Sequence, residues 1–166
     1  MAAHRSLLAI ALLSALPLLA GCGSDDDAQV LPAPTPGTLK FNFSTTNGVR
    51  ASPNLVDPLR GTAYGAIFFE RDVSLMGPRD GAPEATSIEL ANVDLTTADV
   101  SANSVVTIPI FPDKYVFLGM LDLDANGAVE RRPESGDLAT LPTTNQFTVE
   151  SGTETEVTIV FDLVFN

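Results

Sequence analysis

From Thr38 to the end of the chain, apolar residues alternate with polar ones, and no window carries the 3.6-residue spacing of an amphipathic helix. In TLKFNFS, Leu39, Phe41 and Phe43 point one way while Lys40 and Asn42 point the other. Near the C-terminus Val157, Ile159, Phe161, Leu163 and Phe165 repeat the pattern over a longer run. Side chains of a strand alternate between two faces, so this pattern commits the chain to half-buried β-strands.

Between these two runs lie TAYGAIFF (62–69), TSIELANVDL (86–95), SVVTIPI (104–110), KYVFLGML (114–121) and NQFTVE (145–150). They are rich in β-branched and aromatic residues and bounded by Gly, Pro, Asn and Asp. In the second of them the apolar phase slips between Leu90 and Val93, which predicts a bulge near Ala91-Asn92. KYVFLGML is apolar on both faces, as a central strand should be, with Tyr115 packed in the core and its hydroxyl near a strand end. The expected fold is all-β: an antiparallel β-sandwich of about seven strands spanning residues 38–166. The stretches 46–61, 76–85 and 125–144 are longer than hairpin turns and are where binding groups are expected. Asn47-Gly48 and Asp80-Gly81 have the composition of tight turns.

Several chemistries lack their residues. The only histidine is His4 and the only cysteine is Cys22, both ahead of the β-rich region. That region therefore has no imidazole for base catalysis or a zinc site, and no thiol nucleophile. No nucleotide-binding glycine motif appears. The 21 acidic residues offer carboxylate pairs for glycoside hydrolysis, but none is distinguished, and no tryptophan supplies a sugar platform. The chain reads as non-enzymatic. All 21 acidic residues follow Cys22, against eight of the nine basic ones, and this balance opposes nucleic-acid binding.

One loop carries candidate chemistry. DLDANG (122–127) sets Asp122, Asp124 and Asn126 at alternate positions ahead of Gly127. Calcium takes six to eight oxygens, and these three can converge with the Ala128 carbonyl. An EF-hand would place a glutamate at the twelfth position, which is Pro133, so closure must come from elsewhere. Asp137, after Gly136, is the first choice, with Glu130 and Glu134 as alternates. The other reading stays open: Asp122 and Asn126 bonding their own backbone in an ordered turn. Arg131-Arg132 among the glutamates reads as a solvated charge cluster.

The N-terminus has a basic start (His4, Arg5), an apolar run from Leu7 to Ala20, and then Leu19-Ala20-Gly21-Cys22. This order resembles the lipobox of bacterial outer-membrane lipoproteins. The resemblance implies a signal peptide over 1–21, lipidation of Cys22, and a flexible linker over 22–37. It further implies an outer membrane-anchored protein on the periplasmic face or the cell surface. Gly61-Thr62-Ala63-Tyr64-Gly65, a proline ahead of Tyr115 in the strand running into DLDANG, and Gly136-Asp137 resemble the transthyretin-like (prealbumin-like) domains of envelope lipoproteins. Where that family shows Gly-x-Tyr entering the central strand, this chain has Asp113-Lys114-Tyr115. Together these readings predict a structural or protein-interaction module of the cell envelope, stabilised by calcium, with an envelope protein as partner. The alternative is a ligand-binding or carrier protein using the loop end of the sandwich.

Overall fold

The computed structural model describes residues 32–55, 58–97, 105–127 and 132–166. Its elements run β1 (Gly37–Thr45), the one-turn helix α1 (Asn47–Arg50), β2 (Arg60–Phe69), β3 (Val73–Ser74), β4 (Gly77–Pro78), β5 (Glu84–Asp94), β6 (Val105–Ile110), β7 (Asp113–Asp122), β8 (Leu138–Thr140), β9 (Gln146–Val149) and β10 (Glu154–Val164). Each of the seven runs of alternating residues forms a strand. The compact unit begins at Ala33, where Thr35 exchanges hydrogen bonds with Ser151 and Gly152.

The strand order overturns the expected antiparallel β-sandwich of the transthyretin type. One mixed sheet runs β5-β2-β7-β8-β10-β1-β6, with β9 also on β7, and curls into a nearly closed seven-strand barrel. β1 and β10, the first and last described strands in chain order, lie side by side and parallel, from Thr38↔Glu154 to Thr45↔Phe161. Alternation reports which face a residue occupies, not the direction of its neighbour. β10 is paired on both sides, by β1 and by β8.

The core fills the inside of this barrel. Phe41 on β1 meets Phe117 on β7 at 6.1 Å between ring centroids and Phe147 on β9 at 6.2 Å. Phe43 stacks on Phe161 at 6.0 Å. Tyr115 is held between Phe69 and Phe147, and its hydroxyl donates to the Phe111 carbonyl at 2.7 Å. Each such ring contributes about 1.5–3 kcal/mol by leaving water. A second apolar layer lies on the outer wall, where Tyr64, Phe68, Val116 and Met120 are also buried.

Two of the register shifts in the sheet bear on this pattern. The first is at Ala91-Asn92, as the phase slip predicted: the register jumps from Gly61↔Val93 to Ala63↔Leu90, and Asn92 has φ +64°. The second was not visible in the sequence. A register shift between Phe161 and Leu163 turns β10 over, so Val164 is buried while Leu163 and Phe165 are 41% and 39% exposed. The expected inward set therefore ends at Phe161. Asn47-Gly48 opens α1, whose first turn is capped by the Thr46 hydroxyl, and is not a hairpin turn.

Candidate metal centre

The centre forms where β7 ends and the chain returns to β8. Asp122 is the last residue of β7 and is 1% exposed; Asp137 immediately precedes β8 and is 3% exposed. β7 pairs with β8 through Leu121↔Leu138, so sheet register alone brings these two carboxylates together. Asp122, Asp124 and Asp137 each place one carboxylate oxygen within 4.8 Å of the others. Asp137, the first choice to close the loop, thus lies beside Asp122 and Asp124.

Both buried carboxylates are also tied to backbone. Asp122 Oδ1 accepts from the Ala125 N–H at 2.8 Å, and Oδ2 from the Gly127 N–H at 3.1 Å. Asp137 Oδ1 accepts from Leu123 N–H at 3.1 Å, and Oδ2 from Glu134 N–H at 2.9 Å. The two aspartates thus staple the loop in both directions, and the turn reading of DLDANG holds for Asp122. Gly127 leaves little room beside the loop: a Cβ there would stand 2.8 Å from the mobile Met120 methyl and 3.2 Å from the Asp122 carboxylate, which would have to give by a few tenths of an ångström. Ala125 takes φ +64° and Gly136 φ +101°, which lets both sides turn sharply.

Asn126 faces the cluster with its amide group. Its Nδ2 donates to Asp124 Oδ2 at 2.8 Å and to Glu134 Oε2 at 3.0 Å. Glu134, placed in the sequence only as an alternate, is therefore the fourth carboxylate of the neighbourhood. Its signal was its position three residues before Asp137, close enough for its own N–H to bond Asp137. The Ala128 carbonyl, Glu130 and Arg131 lie outside the described residues.

Elsewhere, a groove of about 500 Å³ crosses the outer wall of β2, β7 and β8, lined by Tyr64, Ala66, Phe68, Leu118, Met120 and Ala139. At the opposite end of β7 from the acidic cluster, Arg71 bonds Asp113 at 2.8 Å and lies 4.2 Å over the Phe69 ring. That contact, with the Lys114 N–H, holds the Asp113 carboxyl below its ordinary range. Among the described residues there is neither histidine nor cysteine, and no helix is long and apolar enough to cross a membrane.

Comparison with protein families, with curated proteins and with solved structures finds no match for this chain. The resemblances to lipobox-bearing outer-membrane lipoproteins and to transthyretin-like domains are corrected accordingly. The second also fails on the parallel β1–β10 pair and on the closure of the sheet. The signal peptide and Cys22 lie outside the described residues, and the lipoprotein terms have no support from the comparisons. What stands is a compact β-rich domain with an acidic cluster whose geometry suits a divalent cation.

Proposed function

We propose that this domain is a non-catalytic interaction module that binds calcium through Asp122, Asp124, Asp137 and Asn126, using the ion to fix the loop between β7 and β8. The observation carrying this reading is the convergence of three carboxylates from the two sides of one loop. Carboxylates this close repel one another, and the Asn126 amide group is the positive partner set between Asp124 and Glu134. A calcium ion takes over that role when the amide turns to present its oxygen, an exchange of nearly equal shapes. Oxygen-only ligands of this kind suit a hard cation and not a thiol- or imidazole-seeking metal.

The test is a thermal melt of the full chain in millimolar calcium against chelator. Sites of this open type bind at about 10⁻⁴–10⁻³ M. At ten times the dissociation constant the ion adds about 1.4 kcal/mol, a rise of a few degrees in Tm. An unchanged Tm overturns the reading.

A second reading, an apolar-ligand carrier, is favoured by the groove over β2, β7 and β8, whose volume lies within the range of small-molecule sites. Native mass spectrometry of the purified full chain checks it: a carrier retains a non-covalent adduct that Ala139→Trp, filling the groove, removes.

A further inference from the structure

The groove over β2, β7 and β8 has a single charged residue in its lining, Glu84, and the position of that residue limits what can occupy it. Along β2 the groove follows Tyr64, Ala66 and Phe68, with Met120 and Leu118 of β7 paired to the first two. At the rise of an extended strand, Tyr64 to Phe68 covers about 13 Å. An elongated apolar chain fits such a floor better than a compact molecule. Met76, at the turn of the β3–β4 hairpin, also lines the groove and is 96% exposed. An occupant would cover this flexible thioether side chain.

Glu84 reaches the groove through an irregularity in the sheet. β2 pairs Ile67 with Thr86 but Phe68 with Glu84, so the register skips Ala85, which packs against the core instead. In a regular ladder Phe68 would face Ala85, and Glu84 would fall opposite Phe69 on the inner face. The skip re-aims the carboxylate to the outer face beside Phe68. There it is exposed and makes no hydrogen bond or ion pair among the described residues. Arg79, which follows Pro78, lines a separate hollow with Glu70 and Gln146. Arg132, which precedes Pro133, is already engaged.

Charge decides which chain fits. A fatty acid would set a second carboxylate beside Glu84, in a protein of formal net charge −12. A neutral chain would take water from the Glu84 carboxylate and give it no partner. A cationic head answers both the carboxylate and the neighbouring Phe68 ring. We propose that the groove binds a single-chain cationic amphiphile, an alkyl ammonium compound, with its head at Glu84 and Phe68 and its tail running toward Tyr64 and Met120. This rests on the carrier reading of the groove and adds the head group to it.

The experiment titrates the full chain by calorimetry with decyltrimethylammonium, decanol and decanoate, each below its micelle concentration. The ammonium compound is expected to bind about tenfold more tightly than decanol, as one exposed ion pair and one cation–π contact allow. Decanoate should bind most weakly. Glu84→Gln, a change at an exposed side chain, should bring the ammonium compound to within about twofold of decanol and leave decanol unchanged. Glu154→Gln, the same change on β10 away from the groove, should leave all three as in the wild type. Equal binding of decanol and the ammonium compound to the wild type overturns the proposal while the carrier reading stands. An equal loss in Glu84→Gln and Glu154→Gln overturns it too, since overall charge alone would then be at work. If none of the three binds, or Ala139→Trp leaves their binding unchanged, the carrier reading falls with it.

Discussion

The side chain of Asn145 serves as a strand for Val160: its Oδ1 accepts from the Val160 N–H at 2.7 Å and its Nδ2 donates to the Val160 carbonyl at 3.0 Å. Asn145 is 1% exposed and lies where β8 has ended and β9 has not begun. The same break faces β7 on its other side. There the Asn145 carbonyl accepts from Phe117 N–H at 3.0 Å, and the Thr140 hydroxyl bonds both backbone groups of Gly119. Side chains thus complete a ladder that the backbone leaves open, and buried backbone groups of β7 and β10 stay paired.

Asn145→Ala is expected to leave the part-buried Val160 N–H and carbonyl without these partners. Each orphaned group costs about 1–3 kcal/mol, so a loss of about 2–4 kcal/mol should appear in urea denaturation. A loss within experimental error would mean that water replaces the amide.

Little of this was legible in the sequence, and the reason is physical. Strands long enough to show a period announced themselves, and the bulge at Ala91-Asn92 did so because Leu90 and Val93 fall out of phase. The bulge between Phe161 and Leu163 left no such trace, since Leu163 and Phe165 continue the apolar alternation while facing outward. β8 is three residues long and shows no period at all. Barrel closure and the parallel β1–β10 pair depend on which strands meet, and face patterns do not encode that. For the candidate centre the spacing in DLDANG and the Gly136-Asp137 pair were readable. The backbone bonds of Asp137 and the approach of Glu134 depend on β7–β8 register.

Gly61→Ala should be among the most damaging single-methyl additions. A Cβ at Gly61 would lie 1.8 Å from the Asp122 carbonyl oxygen, and that atom belongs to the paired strand β7. Relief requires the two strands to separate, at a cost of about 3 kcal/mol or more. Gly48→Ala is the control. In α1 the nearest atom to its Cβ would be the Thr46 hydroxyl at 3.7 Å, and alanine should add about 0.5 kcal/mol. Chemical denaturation of both variants checks the ordering.

Tyr115 predicts an alkaline limit. Burial first, and the nearby Asp113 carboxylate second, push its hydroxyl pKa above the ordinary value. A neutral acid with a raised folded-state pKa contributes stability that is complete below its unfolded value. That contribution is lost as pH rises through the folded value, here above about pH 10. Tyr115→Phe should remove this part of the alkaline loss. At neutral pH it should cost about 1 kcal/mol for the bond to Phe111. Melts across pH 8–12 should show the two curves converging at the high end.

Asp113 predicts the acid side. Its pKa is lowered by Arg71 and by the Lys114 N–H, so its contribution is present above the unfolded carboxylate value. It is lost as pH falls through the lower folded value. Asp113→Asn should therefore be less stable than the wild type at pH 7 and equal to it at the most acidic end. The gap should be small and shrink with salt, because both partners face solvent. A gap that persists at low pH would show that Asp113 acts through packing, not charge.

Asp122 and Asp124 should separate the staple from the ligand. Asp122 is buried with both oxygens on backbone N–H groups, while Asp124 is exposed and, among the described residues, accepts from Asn126 alone. Asp122→Asn turns one acceptor oxygen into a donor facing a backbone N–H, so it should destabilise the chain in chelator by about 1–3 kcal/mol. Asp124→Asn should stay within about 0.5 kcal/mol of the wild type in chelator. It removes a charge from the calcium site, however, so the rise in Tm with millimolar calcium should shrink or vanish. Melts of the three proteins, each with calcium and with chelator, give the answer directly. If Asp124→Asn responds to calcium as the wild type does, the ion binds elsewhere, and the Asp122–Asp137 cluster serves only to hold the loop.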